Sequence, residues 1–468
     1  MCVRMTSLQS GRFPRLGKMT VAVAAIAALL AVFAAQSEAV DYELTVQATD
    51  TLGNPWTVAI TGTPAGTTPY SETVGSLDLT APADTDRYFI RWKDDVGNTL
   101  SDHMHYTQAT LTSDTTVIAE YSSTVTEFYL NDGTAETGNE AGDDTENSGT
   151  SPYSPMATLT AMLQRYDLGY GATIHMEPGT YNDAVYVVSS NSGLTIDGAG
   201  PGQTIWDGYD SICVSVLSAD DVTFSNLTFT GGQSGAYTEY STATFRNCIF
   251  TGIHPSVLGG AVCCCGGSET IENCTITQNW PLEGGAGYAL LLFYETVTLK
   301  NSILYFNAMP QFYNTMGTLT IVRCDIEGYG GSQTAFDADP LFASTTDFHL
   351  ESETGRWDPS TSAWVTDEVT SRCVDGGDAA SSYSNEPAPN GGRINIGAYG
   401  NTPEASKHLK GDANEDCDVN ILDLIFINGR MNQDVNSGDN WKADVNRDDL
   451  IDMNDLYFVR NVLNTTCP

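Results

Sequence analysis

Two stretches near the C-terminus place oxygen ligands at regular spacing. Asp412, Asn414, Asp416, Asn420 and Asp423 stand at positions 1, 3, 5, 9 and 12 of a loop. Asp444, Asn446, Asp448, Asp452 and Asp455 repeat that pattern 32 residues later. Hard side-chain oxygens at those positions, with a backbone carbonyl at position 7, form the cage that Ca²⁺ prefers. Asp418 and Leu450 would supply the two carbonyls. The spacing predicts two bound Ca²⁺ ions. A merely acidic, solvated tail would not repeat ten ligands in one register. Each loop runs into an apolar stretch expected to be helical, Leu422–Met431 and Asn454–Leu463.

Position 12 is Asp, where an EF-hand has Glu, and no entering helix precedes either loop. In this, residues 411–468 resemble a type I dockerin, with both repeats present. The resemblance implies a cohesin-type module as partner and attachment to a cohesin-bearing scaffold or surface. Three features depart from or extend the pattern. Position 6, normally Gly, is Cys417 and Asp449, so a strained loop and weaker affinity are expected. Ile421-Leu422 and Met453-Asn454 replace the small hydroxyl residues of dockerins, which argues against a familiar cohesin. The ends of a dockerin-like fold approach each other, which implies a Cys417–Cys467 disulfide.

No catalytic constellation is recognisable, so no catalytic residue and no organic cofactor are assigned. Glycoside cleavage needs a carboxylate pair flanking the bond. Asp220-Asp221 immediately precedes Val222-Thr223-Phe224, as a turn would. Arg246, Lys300 and Arg323 fall near one edge of the repeats, with Glu272 between, and read as solvated surface charges. His175 and His254 have no identifiable partner. Tyr237, Tyr240, Trp280, Tyr288, Phe293, Tyr294, Tyr305, Phe312 and Tyr313 are dense. Many are expected in the core; a few exposed rings would stack on sugar.

The middle of the chain, 126–405, carries a repeat that could position such a surface. Phe224-Ser225-Asn226-Leu227-Thr228-Phe229 aligns with Phe245-Arg246-Asn247-Cys248-Ile249-Phe250 and with three later units. The Asn-equivalent positions are 226, 247, 273, 301 and 323. Such short units of β-formers are too brief for paired helices and predict a parallel β-helix. Asn tolerates left-handed backbone and can turn the chain at each corner. Asn226, Asn247, Asn273 and Asn301 should stack and hydrogen-bond along the axis. Cys248, Cys274 and Cys324 should form an inward ladder with Leu227 and Ser302. An amphipathic helix over Pro155–Tyr166 would cover the open end.

Gly171–Tyr181 and Gly193–Gly200 resemble the first rungs of the pectin-lyase-like right-handed β-helix superfamily. Asp339–Phe342, Phe348–Leu350, Cys373–Asp378 and Arg393–Gly400 resemble its tail. The superfamily includes polysaccharide lyases, glycosidases and members without known activity, so the resemblance speaks to fold more than to activity.

Short alternating segments between Tyr42 and Tyr121 predict a small β-sandwich over 40–124. Phe89-x-x-Trp92 followed by Thr116-x-x-Ala119-x-Tyr121 resembles internalin-type bacterial surface repeats. Residues 1–39 read as a signal peptide: basic residues, an apolar run from Val21 to Ala35, then Ser37-Glu38-Ala39. That run is too short to span a bilayer. Extracellular or cell-surface location is expected, without a membrane span after cleavage. With 59 acids against 20 bases, net −39, the chain would be repelled by nucleic-acid phosphates. The expectation is a secreted modular protein of polysaccharide metabolism that binds or degrades an extracellular polysaccharide. The alternative is a non-catalytic adhesion or structural surface protein.

Overall fold

The computed structural model describes residues 41–83, 87–134, 140–255, 257–282, 286–329 and 334–467. The expected signal peptide, 1–39, lies outside the described residues.

The repeats coil into a solenoid with three parallel sheets. The first sheet has eight strands, from Glu127–Leu130 to Thr318–Val322. The second also has eight, from Gly179–Tyr181 to Ala335–Phe336, and the third has six, from Val185–Val188 to Phe312–Thr315. Alternation along each strand sends one side chain in two inward. Neighbouring rungs then place like upon like: Phe128, Ile174, Ile196, Phe224, Phe245, Ile271, Leu299 and Ile321 form one column. Phe224 stacks on Phe245 at 5.1 Å, and Phe229 on Phe250 at 4.8 Å. Each such side chain withdrawn from water contributes about 1.5–3 kcal/mol.

The corner between the first and second sheets is made as expected. Asn226, Asn247, Asn273 and Asn301 have φ of 58, 52, 51 and 48°, and Arg323 takes the same place at 52°. Leu227, Cys248, Cys274, Ser302 and Cys324 are fully buried beside them. The asparagine side chains differ from expectation. Only Asn301 donates to its neighbour in the column, Asn273, at 3.4 Å. Asn226 donates to Asp197, and Asn247 to the carbonyls of Ala398 and Gly400. The reason is a returning segment: Asp378, Gly397 and Ala398 donate their N–H groups to Asn301 Oδ1, Asn301 O and Thr275 Oγ1. The tail thus lies along this corner and accepts from the amides of Asn247, Asn273 and Asn301.

The uneven repeat lengths arise in the third sheet. Val257–Cys265 has nine residues and Ala286–Phe293 eight, with a bulge between Val257 and Gly260.

The capping helix spans Leu159–Arg165, shorter than expected. Met156 is used in a bridge to Leu130, and Thr158 caps the helix by accepting from Ala161 N–H. Leu159, Met162 and Tyr166 close the apolar end. Tyr88 joins them from the N-terminal region, 5.7 Å from Phe128 and 5.2 Å from Tyr166.

The described residues between 41 and 122 include a five-stranded and a four-stranded sheet. Leu44, Val46, Phe89, Trp92, Val117 and Tyr121 from the former share a core with Ile60, Leu77 and Leu79 from the latter.

At the C-terminus, helices Ile421–Asn428 and Met453–Asn461 follow the two acidic loops. Both begin one residue earlier than expected, where Asn420 and Asp452 cap them, and end earlier. Cys417 and Cys467 are bridged, with Cα atoms 5.1 Å apart, as the resemblance implied. Among the described residues no helix is long and apolar enough to cross a membrane.

Candidate functional site

The third sheet turns two columns of side chains away from the core. One runs Tyr186, Ser215, Tyr237, Cys263, Leu291, Tyr313; the other Val188, Leu217, Glu239, Cys265, Phe293, Thr315. Six rungs at roughly 4.8 Å give a strip about 24 Å long. A third column lies at the corner that follows: Ser218, Tyr240, Gly266, Tyr294 and Met316, all with φ between 50 and 75°. Bulky residues avoid this left-handed region, and an occupied outlier is a reason to look for function. Tyr240 is 70% exposed, Tyr294 55% and Met316 76%. A Cβ on Gly266 would come within 3.0 Å of the Tyr240 ring. The missing side chain therefore lets that ring lie along the corner.

This corrects the sequence reading of the aromatics. Of the nine, Phe312 packs against the solenoid core and Tyr305 against the cluster around Ile303; the other seven lie outside the buried clusters. Tyr240, Trp280, Phe293, Tyr294 and Tyr313 are exposed, and Tyr237, Tyr288, Tyr305 and Phe312 are half-buried. Tyr288 stacks on Tyr313 at 4.8 Å. His254 packs against Trp280 at 4.3 Å, and His175 meets Glu127 at 2.6 Å and the Tyr129 ring, so neither histidine is isolated.

The charged residues are arranged for structure. Asp221 has φ 58° and sits in an exposed turn, as expected. Arg246 lies 3.4 Å from Glu272 at the surface. Lys300 and Arg323 are not solvated charges. Lys300 reaches Asp378 of the returning tail at 3.1 Å, and Arg323 reaches Asp449 at 2.9 Å. The two outward columns hold one carboxylate, Glu239, and no Lys, Arg or His. A two-carboxylate cleavage site is therefore not built on them.

One buried acid escaped the sequence reading. Glu269 occupies the inward column of Val222, Ala243 and Val297, is 1% exposed, and its carboxyl lies against Thr238 and Glu295. Burial, with the neighbouring Glu295 charge, pushes it up to about 8. Its place was readable by aligning Ser268-Glu269-Thr270-Ile271 with Asp221-Val222-Thr223-Phe224.

The C-terminal loops keep their repeat in three dimensions. Positions 4 and 6 are left-handed in both: Glu415 and Cys417 at 58 and 63°, Arg447 and Asp449 at 57 and 67°. Cys417 is held there by its disulfide and Asp449 by Arg323. Asp412 is pushed up to about 6 and Asp444 to about 7, by burial first and also by Asp423 and Asp455 respectively. Asn414 Oδ1 is buried without a partner. Crowded, buried oxygens of this kind suit a hard divalent cation. Asp423 and Asp455 direct oxygens at backbone N–H groups of their own loops. Among the described residues no three His, Cys, Asp or Glu side chains form a ready metal cluster. Asp416, Asn420, Asn446, Asp448 and Asp452, with the carbonyls of Asp418 and Leu450, are the remaining donors of the two loops. Ile421, Leu422, Ile425, Leu450, Met453 and Tyr457 are exposed beside the loops.

Residues 183–346 match the family model for the right handed beta helix region. The solenoid is thus right-handed, as expected, and the outward strip lies within the matched stretch. Among solved structures, the chain is similar to the crystal structure of pectate lyase Pel9A, at 14% identity and a TM-score of 0.25. That likeness covers 59% of this chain and 96% of the other. No curated protein matches.

Proposed function

We propose that the right-handed β-helix binds an extracellular polysaccharide along the outward aromatic strip of its third sheet. The observation that carries this reading is the pair Tyr240 and Tyr294, exposed and held in left-handed backbone. Aromatic faces offer broad apolar contact at low entropic cost, with hydroxyls for the polar edge of a ligand. The strip is long, and its two sheet columns carry one carboxylate and no Lys, Arg or His. It suits a chain-like neutral or weakly charged ligand better than a small metabolite, which favours an enclosed pocket. The single carboxylate in the two sheet columns favours binding over cleavage.

In this reading residues 411–468 are a dockerin. Two Ca²⁺ ions would be held by Asp412, Asn414, Asp416, Asp418, Asn420 and Asp423, and by Asp444, Asn446, Asp448, Leu450, Asp452 and Asp455. Bound calcium would supply the charge that lets these oxygens converge. The exposed apolar residues beside the helices would face a cohesin-type module. The chain would be exported and anchored to a scaffold or surface. The non-catalytic adhesion alternative shares the same strip.

A panel of acidic and neutral polysaccharides tests the reading, scored by pull-down, by reducing-sugar release and by absorbance at 235 nm. Capture of at least one glycan without product is expected. Product release would point to cleavage, and failure to capture any glycan would overturn the proposal.

A further inference from the structure

The inward cysteines of the solenoid are explained by packing. Cys248, Cys274 and Cys324 fill one buried column, and Cys213, Cys264 and Cys373 are also buried. Cys263 and Cys265 are different. They lie on the outward face of the third sheet, two residues apart on one strand, with sulfurs 4.0 Å from each other. Cys265 is partly exposed while Cys263 is 6% exposed beneath it. Elsewhere their columns hold Tyr237 and Leu291, and Glu239 and Phe293, so neither column calls for a thiol.

We propose that Cys263 and Cys265 form a binding site for a soft, thiophilic d¹⁰ cation of the Cu(I) class. Thiolate sulfur selects such ions over hard ones. With metal–sulfur bonds of about 2.3 Å, sulfurs 4.0 Å apart subtend an angle of about 120° at the metal, as in a trigonal site with one position left open. A disulfide fits less well. Alternate residues of a strand have Cα atoms roughly 6.7 Å apart. That is near the upper limit a disulfide spans. The surroundings favour a cation. Glu239 is the cross-strand neighbour of Cys265, and the Tyr237 hydroxyl bonds to the Cys265 sulfur. The hydrogen bond from Cys263, then that from Tyr237, hold the Cys265 thiol below the ordinary thiol range. Both sulfurs bind as thiolates, so each thiol proton passes to solvent as the ion binds and no electron is transferred.

The test is anaerobic titration of the reduced full-length chain with Cu(I) against a chromophoric chelator. It is run beside Cys263→Ser, Cys265→Ser and the buried control Cys213→Ser. One ion is expected to be bound by the wild type, and its affinity to fall at least about 100-fold in the first two variants but not in the control. A readout free of substitution accompanies it: bound Cu(I) should protect Cys265 of the wild type from alkylation by iodoacetamide. Undiminished binding in both outward variants would overturn the site. So would equal alkylation with and without the ion, or a Cys263–Cys265 disulfide persisting in the reduced protein.

Discussion

Arg323 closes the last turns of the solenoid onto the C-terminal module by gripping Asp449 with one guanidinium nitrogen at 2.9 and 3.1 Å. The same side chain donates to the carbonyl of Arg447, as does Arg393 at 2.7 Å. Arg323 takes the corner position that asparagine holds in the four preceding units, with the same left-handed backbone. A residue chosen only to turn the chain would be Asn or Gly. The arginine makes the corner a joint. Arg323→Asn keeps the turn and removes the joint. It is expected to leave the solenoid folded, to cost about 1–3 kcal/mol at the contact, and to raise amide exchange across residues 441–452. Unchanged exchange in that segment would show that the joint carries no stability.

Calcium should order the C-terminal module. Titration of the full chain is expected to show two sites, and a free concentration of 100 times Kd should stabilise the module by about 2.7 kcal/mol per occupied site. Asp423→Ala with Asp455→Ala should abolish both effects, because each removes the last carboxylate of its loop. Calorimetry is the measurement, and a calcium response in the double variant would remove these residues from the ligand set.

Glu269 predicts a pH dependence of the solenoid. Its folded value of about 8 lies above the model-peptide value of 4.5, so the folded state retains a proton that the unfolded state releases. The associated stability is fully present below about pH 4.5 and is lost as pH rises through about 8. The slope within that window is at most about 1.4 kcal/mol per pH unit. Glu269→Gln should flatten the decline, as read from denaturant unfolding at pH 5, 7 and 9. An equally steep decline in the variant would place its cause elsewhere.

The solenoid was legible because its signal is one-dimensional. Asn226, Asn247, Asn273 and Asn301 mark corners whose backbone is dictated locally, and inward Phe224 and Phe245 follow from alternation. The loops at 412–423 and 444–455 were legible for the same reason, since their donors are consecutive in one short segment. What could not be read depends on contacts distant in sequence. The amide of Asn247 is taken by Ala398 and Gly400, some 150 residues away. Arg323 looked like a surface charge because Asp449 comes from another module. The aromatics were misjudged because the third sheet carries the length variation. Without its register, Tyr237 and Tyr313 could not be placed on one outward column.

The central claim is that the aromatic strip exists to bind, and its backbone offers a direct measurement. Tyr240 and Tyr294 occupy a region that favours glycine, so Tyr240→Gly with Tyr294→Gly should relieve strain. Glycine also adds freedom to the unfolded chain, so the net gain is expected to be about 0–1 kcal/mol per site. Thermal unfolding and glycan titration on the same double variant decide the matter. Retained or increased stability with at least about tenfold weaker glycan binding, roughly 1.4 kcal/mol, is the result expected of rings kept for a ligand. Undiminished glycan affinity, or a clear loss of stability, would mean that the two tyrosines serve the fold and that the strip is not the binding surface.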